Sequence, residues 1–433
     1  MSANNLQIAV LGAGNVGAEV IRLLQQNHSD LAARAGGNLV ISKVLVRDLK
    51  IKRSAKVEFT NDANSILNDP KIDLVIELMG GIEPARTYIK QALSSGKSVV
   101  TANKALLAKH GAELFALADE KNVDLYYEAS VAGAIPILRP LRESLVGDHV
   151  TKIMGIVNGT TNYILTKMSE TGEDFQSALH RAQELGFAEA DPSADIDGKD
   201  AAAKAAILAG LAFHTRVTDE DVYCEGITKI SDVDIKVANA LGLTIKLLAI
   251  AQVNSNSKNL NQKSICVRVH PTLISQKHPL ASVREAYNAV FVEAESAGQM
   301  MFYGKGAGGQ PTASAVLGDV VAVARHRFSG GIGPKESDYA DFKIEPISES
   351  QTRYLIRLNV ADKPGVLAAV AQEFNKHQVS IQTVRQYGAG TNAELTIMTH
   401  LAKESDLSAT VKDLAKLSVV DDVASVIRVE GEI

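Results

Sequence analysis

Tryptophan is absent from this 433-residue chain, aromatic residues make up only 5% of it, and cysteine occurs twice, at Cys224 and Cys266. Two cysteines this far apart in sequence build neither a disulfide framework nor a zinc ligand set, and they fit a reducing cytoplasm. No segment approaches the roughly 18 uninterrupted apolar residues that read as a membrane span. The opening run MSANNLQIAVLGAG lacks the basic flank and the long apolar stretch of a signal peptide, so a cytoplasmic protein with no membrane partner is expected. Neither sign of charge dominates, with a formal net charge of −5. There is no Lys/Arg cluster and no interleaved aromatic stripe, which argues against nucleic acid as a partner. What is present is length and a 46% hydrophobic content, enough for two or three domains with real cores.

Charge is concentrated in one informative stretch. EADPSADIDGKDAAAK packs Glu189, Asp191, Asp195, Asp197 and Asp200 ahead of Lys204, and DAAAKAAILAGLAF then reads as an alanine-rich helix, apolar on almost every face, to Phe213. Such a helix is normally buried, and lysine is almost never fully buried unpaired. Asp200 stands four residues before Lys204, so their side chains can meet on one face. Two readings stay open at this level: a structural ion pair closing the helix start, or a proton-handling lysine in a carboxylate-lined pocket.

A nicotinamide site would favour the second reading, and the N-terminus carries one. Leu6 to Leu11 is a short apolar run; Gly12, Ala13, Gly14, Asn15, Val16 and Gly17 follow as GAGNVG, before an apolar-periodic segment from Ala18. Strand, glycine turn and helix in that order form the dinucleotide fingerprint, with phosphates on the helix N-terminus. Leu39–Val46, Asp73–Met79 and Lys97–Thr101 read as further buried strands separated by helical stretches, giving a Rossmann-like α/β domain. Arg47, Asp48, Lys50, Lys52 and Arg53 stand where the adenosine ribose is read. An acid there bonds the 2′-hydroxyl of NAD and an arginine accepts the 2′-phosphate of NADP; the mixed signal leans to NADP, with NAD possible. Gln25 to Gly37 reads as an inserted loop. Gly80-Gly81 and Thr101-Ala102-Asn103-Lys104 follow strand ends, where open α/β sheets bind ligands. Lys104 either faces the cofactor and a reacting carbonyl or is a solvated lysine starting a helix. In GIVNGTTNYIL a strand passes through Asn158-Gly159 into a helix that Thr160 or Thr161 is placed to cap.

Ala182, Gly186, Phe187, Ala188, Asp191, Pro192, Asp195, Ile196, Gly198, Asp200 and Lys204 together resemble the homoserine dehydrogenase signature in identity and spacing. GAGNVG, TANKALLA, YYEASVAGAIPI, GIVNGTTNYIL and YGKGAGGQPTASAVLGD extend the resemblance over essentially the whole chain. It implies an NAD(P)-dependent oxidoreductase interconverting L-homoserine and L-aspartate 4-semialdehyde, on the route to threonine, isoleucine and methionine, in a homodimer or homotetramer. Lys204 then matches the proton donor and Lys104 the second active-site lysine, although Lys104 serving the oxygen with Lys204 acting through water is an alternative. Glu189, Asp195 and Asp200 match substrate-binding carboxylates suited to an ammonium. Gly12 to Gly17, Arg47, Gly80, Lys104, Gly186 and Gly306 match cofactor contacts. In YYEASVAGAIPI the resemblance puts a monovalent cation, sodium, against Glu128 and the carbonyls of Val131, Gly133 and Ile135; the alternative is that Glu128 caps a helix starting near Ile135. Gly304, Gly306 and Gly308 form a loop that either meets the cofactor or acts as a domain-crossing hinge.

The expected domains are a dinucleotide-binding domain at 1–135 completed by a returning helix at about 305–328, an α+β substrate and dimerisation domain at 136–304, and a linker at 330–351. Residues 352–433 read as βαββαβ, the ferredoxin-like order. DKPGVLAAVA resembles an ACT domain, which implies a threonine effector near Asp362 and Gly365, or a dimerisation module that has lost its ligand. Two alternatives accompany the leading reading: another oxidoreductase of a small amino-acid-derived carbonyl, and a noncatalytic cofactor-sensing regulator.

Overall fold

A computed structural model describes residues 4–53, 55–254, 263–388 and 393–431. The chain divides into two compact units: 1–157, 203–220 and 287–341 form the first, and 158–202, 221–286 and 342–433 the second.

The first unit is built on a six-stranded parallel sheet. Its strands are β1 (Asn5–Leu11), β2 (Asn38–Leu45), β3 (Glu58–Thr60), β4 (Leu74–Glu77), β5 (Ser98–Thr101) and β6 (Leu125–Tyr126), in the spatial order 3-2-1-4-5-6. That is the doubly wound order in which a dinucleotide binds at the carboxyl ends of the strands. Along β1, Leu6, Ile8 and Val10 enter one apolar cluster while Ala9 and Leu11 enter another, because successive side chains point to opposite faces and both faces are covered. The helices are α1 (Asn15–Gln26), α2 (His28–Ala35), α3 (Asn64–Leu67), α4 (Ala85–Ser94) and α5 (Lys104–Lys121).

α2 corrects one expectation. Gln25 to Gly37 is not an open loop: it holds the end of α1 and a second helix that buries Leu31 and Ala35 and is capped by Gly36 in the left-handed region, φ +86°. An Asp30–Arg34 ion pair spans its exposed side, and its two-turn length left too little periodicity to read.

The helix Gly309–Ser329 returns to this sheet, placing Val316, Val320, Val323 and Ala324 in the same cluster as Ile8 and Val20. The polar run after it is tied down. Asp124 accepts the Gly333 N–H and meets His326; Glu336 bonds Tyr127 and Arg142; Ser337 meets His214; Asp338 pairs with Arg216. An antiparallel trio of strands, Val150–Ile156, Tyr287–Ala294 and Gly298–Lys305, completes the unit.

The second unit begins with the helices Gly159–Thr171 and Phe175–Glu184 and a long hairpin, Leu243–Asn254 with Ser264–Ser275. Its C-terminal part has the expected βαββαβ order: Gln351–Val360, helix Val366–Lys376, Ile381–Tyr387, Ala393–Thr399, helix Glu404–Leu414 and Val420–Glu430. The Glu404–Leu414 helix opens on a buried Glu404. The last strand runs parallel to Ser264–Ser275 through Thr272, Leu273 and Ile274, so the module's sheet continues the hairpin. Among the described residues no helix is long and apolar enough to cross a membrane.

Candidate active site

The GAGNVG turn has the form that phosphate binding requires. Gly12 is left-handed at φ +101°, and a Cβ on Gly17 would lie 2.1 Å from the Gly12 carbonyl oxygen, so the turn closes only around glycine. Gly14 and Asn15 are exposed; nothing lies within 4 Å of a Cβ built on Gly14, and the first turn of α1 holds no acidic residue. Ala13 and Val16 instead pack on the core. Gly14 and Asn15, which open α1, are therefore exposed at the positive end of a helix dipole. Past β2, Arg47 is exposed, whereas the Asp48 carboxylate accepts the Lys50 N–H at 2.7 Å and is held in its own turn.

One carboxylate organises the other two loops at this end of the sheet. Glu77, fully buried at the end of β4, accepts the N–H groups of Met79 (2.7 Å) and Gly80 (3.3 Å) and the Thr101 hydroxyl (2.6 Å). Thr101 accepts the Asn103 N–H, and Asn103 donates to the Gly81 carbonyl at 2.6 Å while capping α5 at Leu106. Lys104 is thus the half-buried first residue of a capped helix, and Gly80 and Gly81 are both left-handed. An acid ending the apolar run DLVIEL is the signal that marks Glu77.

Glu128 reaches the backbone at the start of the following helical turn. The buried carboxylate accepts three successive N–H groups, from Ile137 (2.6 Å), Leu138 (2.8 Å) and Arg139 (2.8 Å). Its own N–H is held by Asp319 Oδ2 at 2.8 Å. Burial, and then the nearby Glu128 charge, push the Asp319 carboxyl up to about 7. The turn meets the GKGAGG loop directly: a Cβ on Gly133 would lie 2.4 Å from the Gly306 oxygen, a Cβ on Gly306 would overlap Asn288, and the Ala134 N–H bonds the Lys305 carbonyl.

The acidic cluster is arranged by a residue that sequence reasoning assigned no such task. Asn158 Nδ2 donates to Asp195 Oδ1 at 2.7 Å and to Asp200 Oδ2 at 2.9 Å, while its Oδ1 accepts the Thr161 N–H at 2.9 Å. The cap of the helix Gly159–Thr171 is therefore Asn158, not Thr160 or Thr161, because an asparagine in extended backbone reaches the third N–H directly. Thr160 instead donates to the Phe187 carbonyl, fixing the turn after the left-handed Gly186. Glu189 is exposed two residues on. Hydrogen bonds from Ser193, first from its hydroxyl and then from its N–H, hold the Asp191 carboxyl below the ordinary range, a structural task.

Asp200 and Lys204 stand four residues apart on the helix Lys199–Phe213. Lys204 is 8% exposed and its Nζ donates to the Val157 carbonyl at 2.7 Å. A second buried lysine, Lys246, donates to Asn162 Oδ1 and the Val283 carbonyl, and burial lowers it to about 8. The lone lysine in LTIKLLAI is what signals it.

Residues 12–128 match the family model "Homoserine dehydrogenase, NAD binding domain", 136–321 match "Homoserine dehydrogenase", and 354–419 match "ACT domain". The homoserine dehydrogenase of Mycobacterium tuberculosis is 53% identical over 98% of this chain and 97% of its own length. That of Corynebacterium glutamicum is 52% identical over 98% and 96%. A crystal structure of a homoserine dehydrogenase from Thiobacillus denitrificans superposes with a TM-score of 0.92 at 38% identity, covering 99% of this chain and 98% of that one. A hyperthermophilic archaeal homoserine dehydrogenase in complex with NADPH matches 74% of this chain and 98% of its own, with a TM-score of 0.61 at 28% identity. The dinucleotide fold, the matching family models and relatives this similar over the full length lead to one conclusion: the chain belongs to the homoserine dehydrogenase family of oxidoreductases.

Proposed function

We propose that this chain interconverts L-homoserine and L-aspartate 4-semialdehyde with NADP as its preferred cofactor, on the route to threonine, isoleucine and methionine. The carrying observation is the pairing of Asp195 and Asp200 on the Asn158 amide, with Asp200 four residues before the buried Lys204. Two carboxylates steered by one amide suit the α-ammonium of an amino acid, and Glu189 adds a third at the exposed rim.

A nicotinamide held here would supply reversible hydride exchange with the alcohol carbon. The hydroxyl proton then has to leave as the C–O bond becomes C=O. Lys204 exchanges that proton, its Nζ aimed by the Val157 carbonyl, and the Lys104 ammonium stabilises charge on the same oxygen. The residues present suit the cofactor: the opening of α1 is free of acids for the pyrophosphate, and Gly80 lies at a strand end. Arg47, exposed beside a committed Asp48, favours a 2′-phosphate. A monovalent cation would be held by Glu128 and the main-chain oxygens of Val131, Gly133 and Ile135.

The test is homoserine-dependent reduction of NADP and NAD, followed at the nicotinamide absorbance, for the natural chain and Asp200→Asn. Turnover favouring NADP, with a raised homoserine KM in the variant, is expected; no turnover with either cofactor overturns the reading. Threonine at the ACT module is the proposed feedback effector, and a full-length enzyme indifferent to threonine sinks that part. Truncation at Gln351 is a poor test, since it removes the strand paired with Thr272–Ile274 and leaves Asp234 without Arg357.

A further inference from the structure

The segment Tyr223–Ile227 lies along the strand Ser264–Ser275, with the Glu225 N–H on the Val269 carbonyl at 2.8 Å. One side of it presses on the loop that carries the substrate carboxylates. The Ile227 N–H donates to the Ile196 carbonyl at 2.8 Å, and the Cys224 thiol donates to the Asp197 carbonyl at 3.3 Å. A Cβ on Gly226 would lie 2.1 Å from the Ile196 oxygen and 2.6 Å from the Asp197 Cα, so backbone meets backbone there. Ile196, Asp197 and Gly198 are residues of the short connection between Asp195 and Asp200.

The other side of the segment is held from the ACT module. Arg428, on the last strand, donates to Glu225 Oε2 at 3.0 Å and to the Tyr223 hydroxyl at 3.3 Å, and its guanidinium lies 5.2 Å from the centre of the Tyr223 ring. The same guanidinium bonds Glu404 through Nη2 (2.6 Å) and Nε (3.1 Å), and Tyr354 donates to Glu404 as well. One side chain thus joins a helix and two strands of the module to the brace beneath Asp195 and Asp200.

We propose that Glu225 and Gly226 are positioning residues for the substrate carboxylates, and that Arg428 of the ACT module sets where they stand. The inference rests on Asp195 and Asp200 receiving the substrate ammonium. A rigid planar fork bridging two carboxylates transmits strand displacement, whereas a loose surface pair would not. Since the last strand also hydrogen-bonds along Thr272–Ile274, any shift of the module's sheet reaches the brace by two routes.

The test uses the full chain. The Glu225 side chain is 41% exposed, so Glu225→Gln strands no buried charge, and Arg428 keeps Glu404. The expected result is a homoserine KM raised roughly threefold to tenfold, the size of one lost charge-assisted bond at a partly exposed group, with kcat, the NADP KM and the melting temperature unchanged. Gly226→Ala, which forces Ile196 and Asp197 aside, raises the same KM further. In a double-mutant cycle Arg428→Lys adds nothing to Glu225→Gln if both act through one link; additive effects overturn it. Asp200→Asn separates the two layers of argument. If Asp200→Asn raises the homoserine KM and neither Glu225→Gln nor Gly226→Ala does, the positioning link is wrong; if Asp200→Asn has no effect either, the substrate reading beneath it is wrong.

Discussion

Replacing Asn158 by serine separates its two tasks. Serine is as good a helix cap as asparagine, so the helix Gly159–Thr171 keeps its first-turn bond to Thr161. Its hydroxyl does not reproduce the amide's two donors to Asp195 and Asp200 at 2.7 and 2.9 Å. Hydrogen bonds to charged groups contribute about 1.5–3 kcal/mol each, and the low end applies because both carboxylates are half-buried and water can take the vacated place. Two such bonds give a combined loss of about 3 kcal/mol in ammonium binding, which corresponds to a homoserine KM raised roughly 150-fold. The assay is initial rate against homoserine at saturating NADP, alongside a thermal melt. Asn158→Ser should melt within about 2 °C of the natural chain, because the cap survives. Asn158→Ala should lose about 1 kcal/mol of stability as well as the substrate affinity. A serine variant with homoserine KM within twofold of the natural value would refute the argument and reduce Asn158 to a cap.

Gly17→Ala forces a methyl group to 2.1 Å from the Gly12 oxygen, so NADP affinity measured by titration calorimetry should fall at least about tenfold through opening of the phosphate turn. Arg47→Ala should raise the NADP KM by roughly tenfold and leave the NAD KM alone, since only NADP carries the 2′-phosphate that arginine would meet; equal effects on both would count against the NADP assignment. Lys246 titrates at about 8 in the folded chain against 10.5 unfolded, so between those values the unfolded state holds a proton the folded state has shed. Its contribution to stability therefore rises with pH from about 8 to 10.5, by up to roughly 3 kcal/mol. Melting temperatures of the natural chain and Lys246→Gln, compared at pH 7.5 and pH 10, should differ in slope in that direction; parallel slopes would place the lysine in a wetter environment.

The parts of this molecule that could be read from sequence are those whose meaning is local. GAGNVG specifies its own turn, the runs around Val44, Ile76 and Val100 specify buried strands, and the order of elements after Gln351 specifies the ACT module. Asn158 is different: its partners Asp195 and Asp200 lie 37 and 42 residues away, and no spacing rule connects an Asn-Gly turn to them. Glu128 was legible as a cation ligand or as the cap of a helix starting near Ile135, but its three N–H partners come from residues 137–139 through a backbone path that only folding defines. The polar run after Gly330 reads as a linker because its residues are hydrophilic, yet Glu336 is buried against Tyr127 and Arg142, both far upstream. Polar composition reports what a segment is made of, whereas burial depends on which partners the fold brings to it.

The central claim is that Lys204 handles the proton of the substrate oxygen. The direct measurement is kcat for homoserine oxidation in Lys204→Met against the natural chain, with homoserine and NADP both saturating and folding verified by NADP binding. Removal of a positioned general acid–base group predicts a fall of roughly 10²- to 10⁴-fold in kcat with the homoserine KM changed only a few-fold. A kcat within threefold of the natural enzyme would contradict the account and transfer the oxygen's chemistry to Lys104.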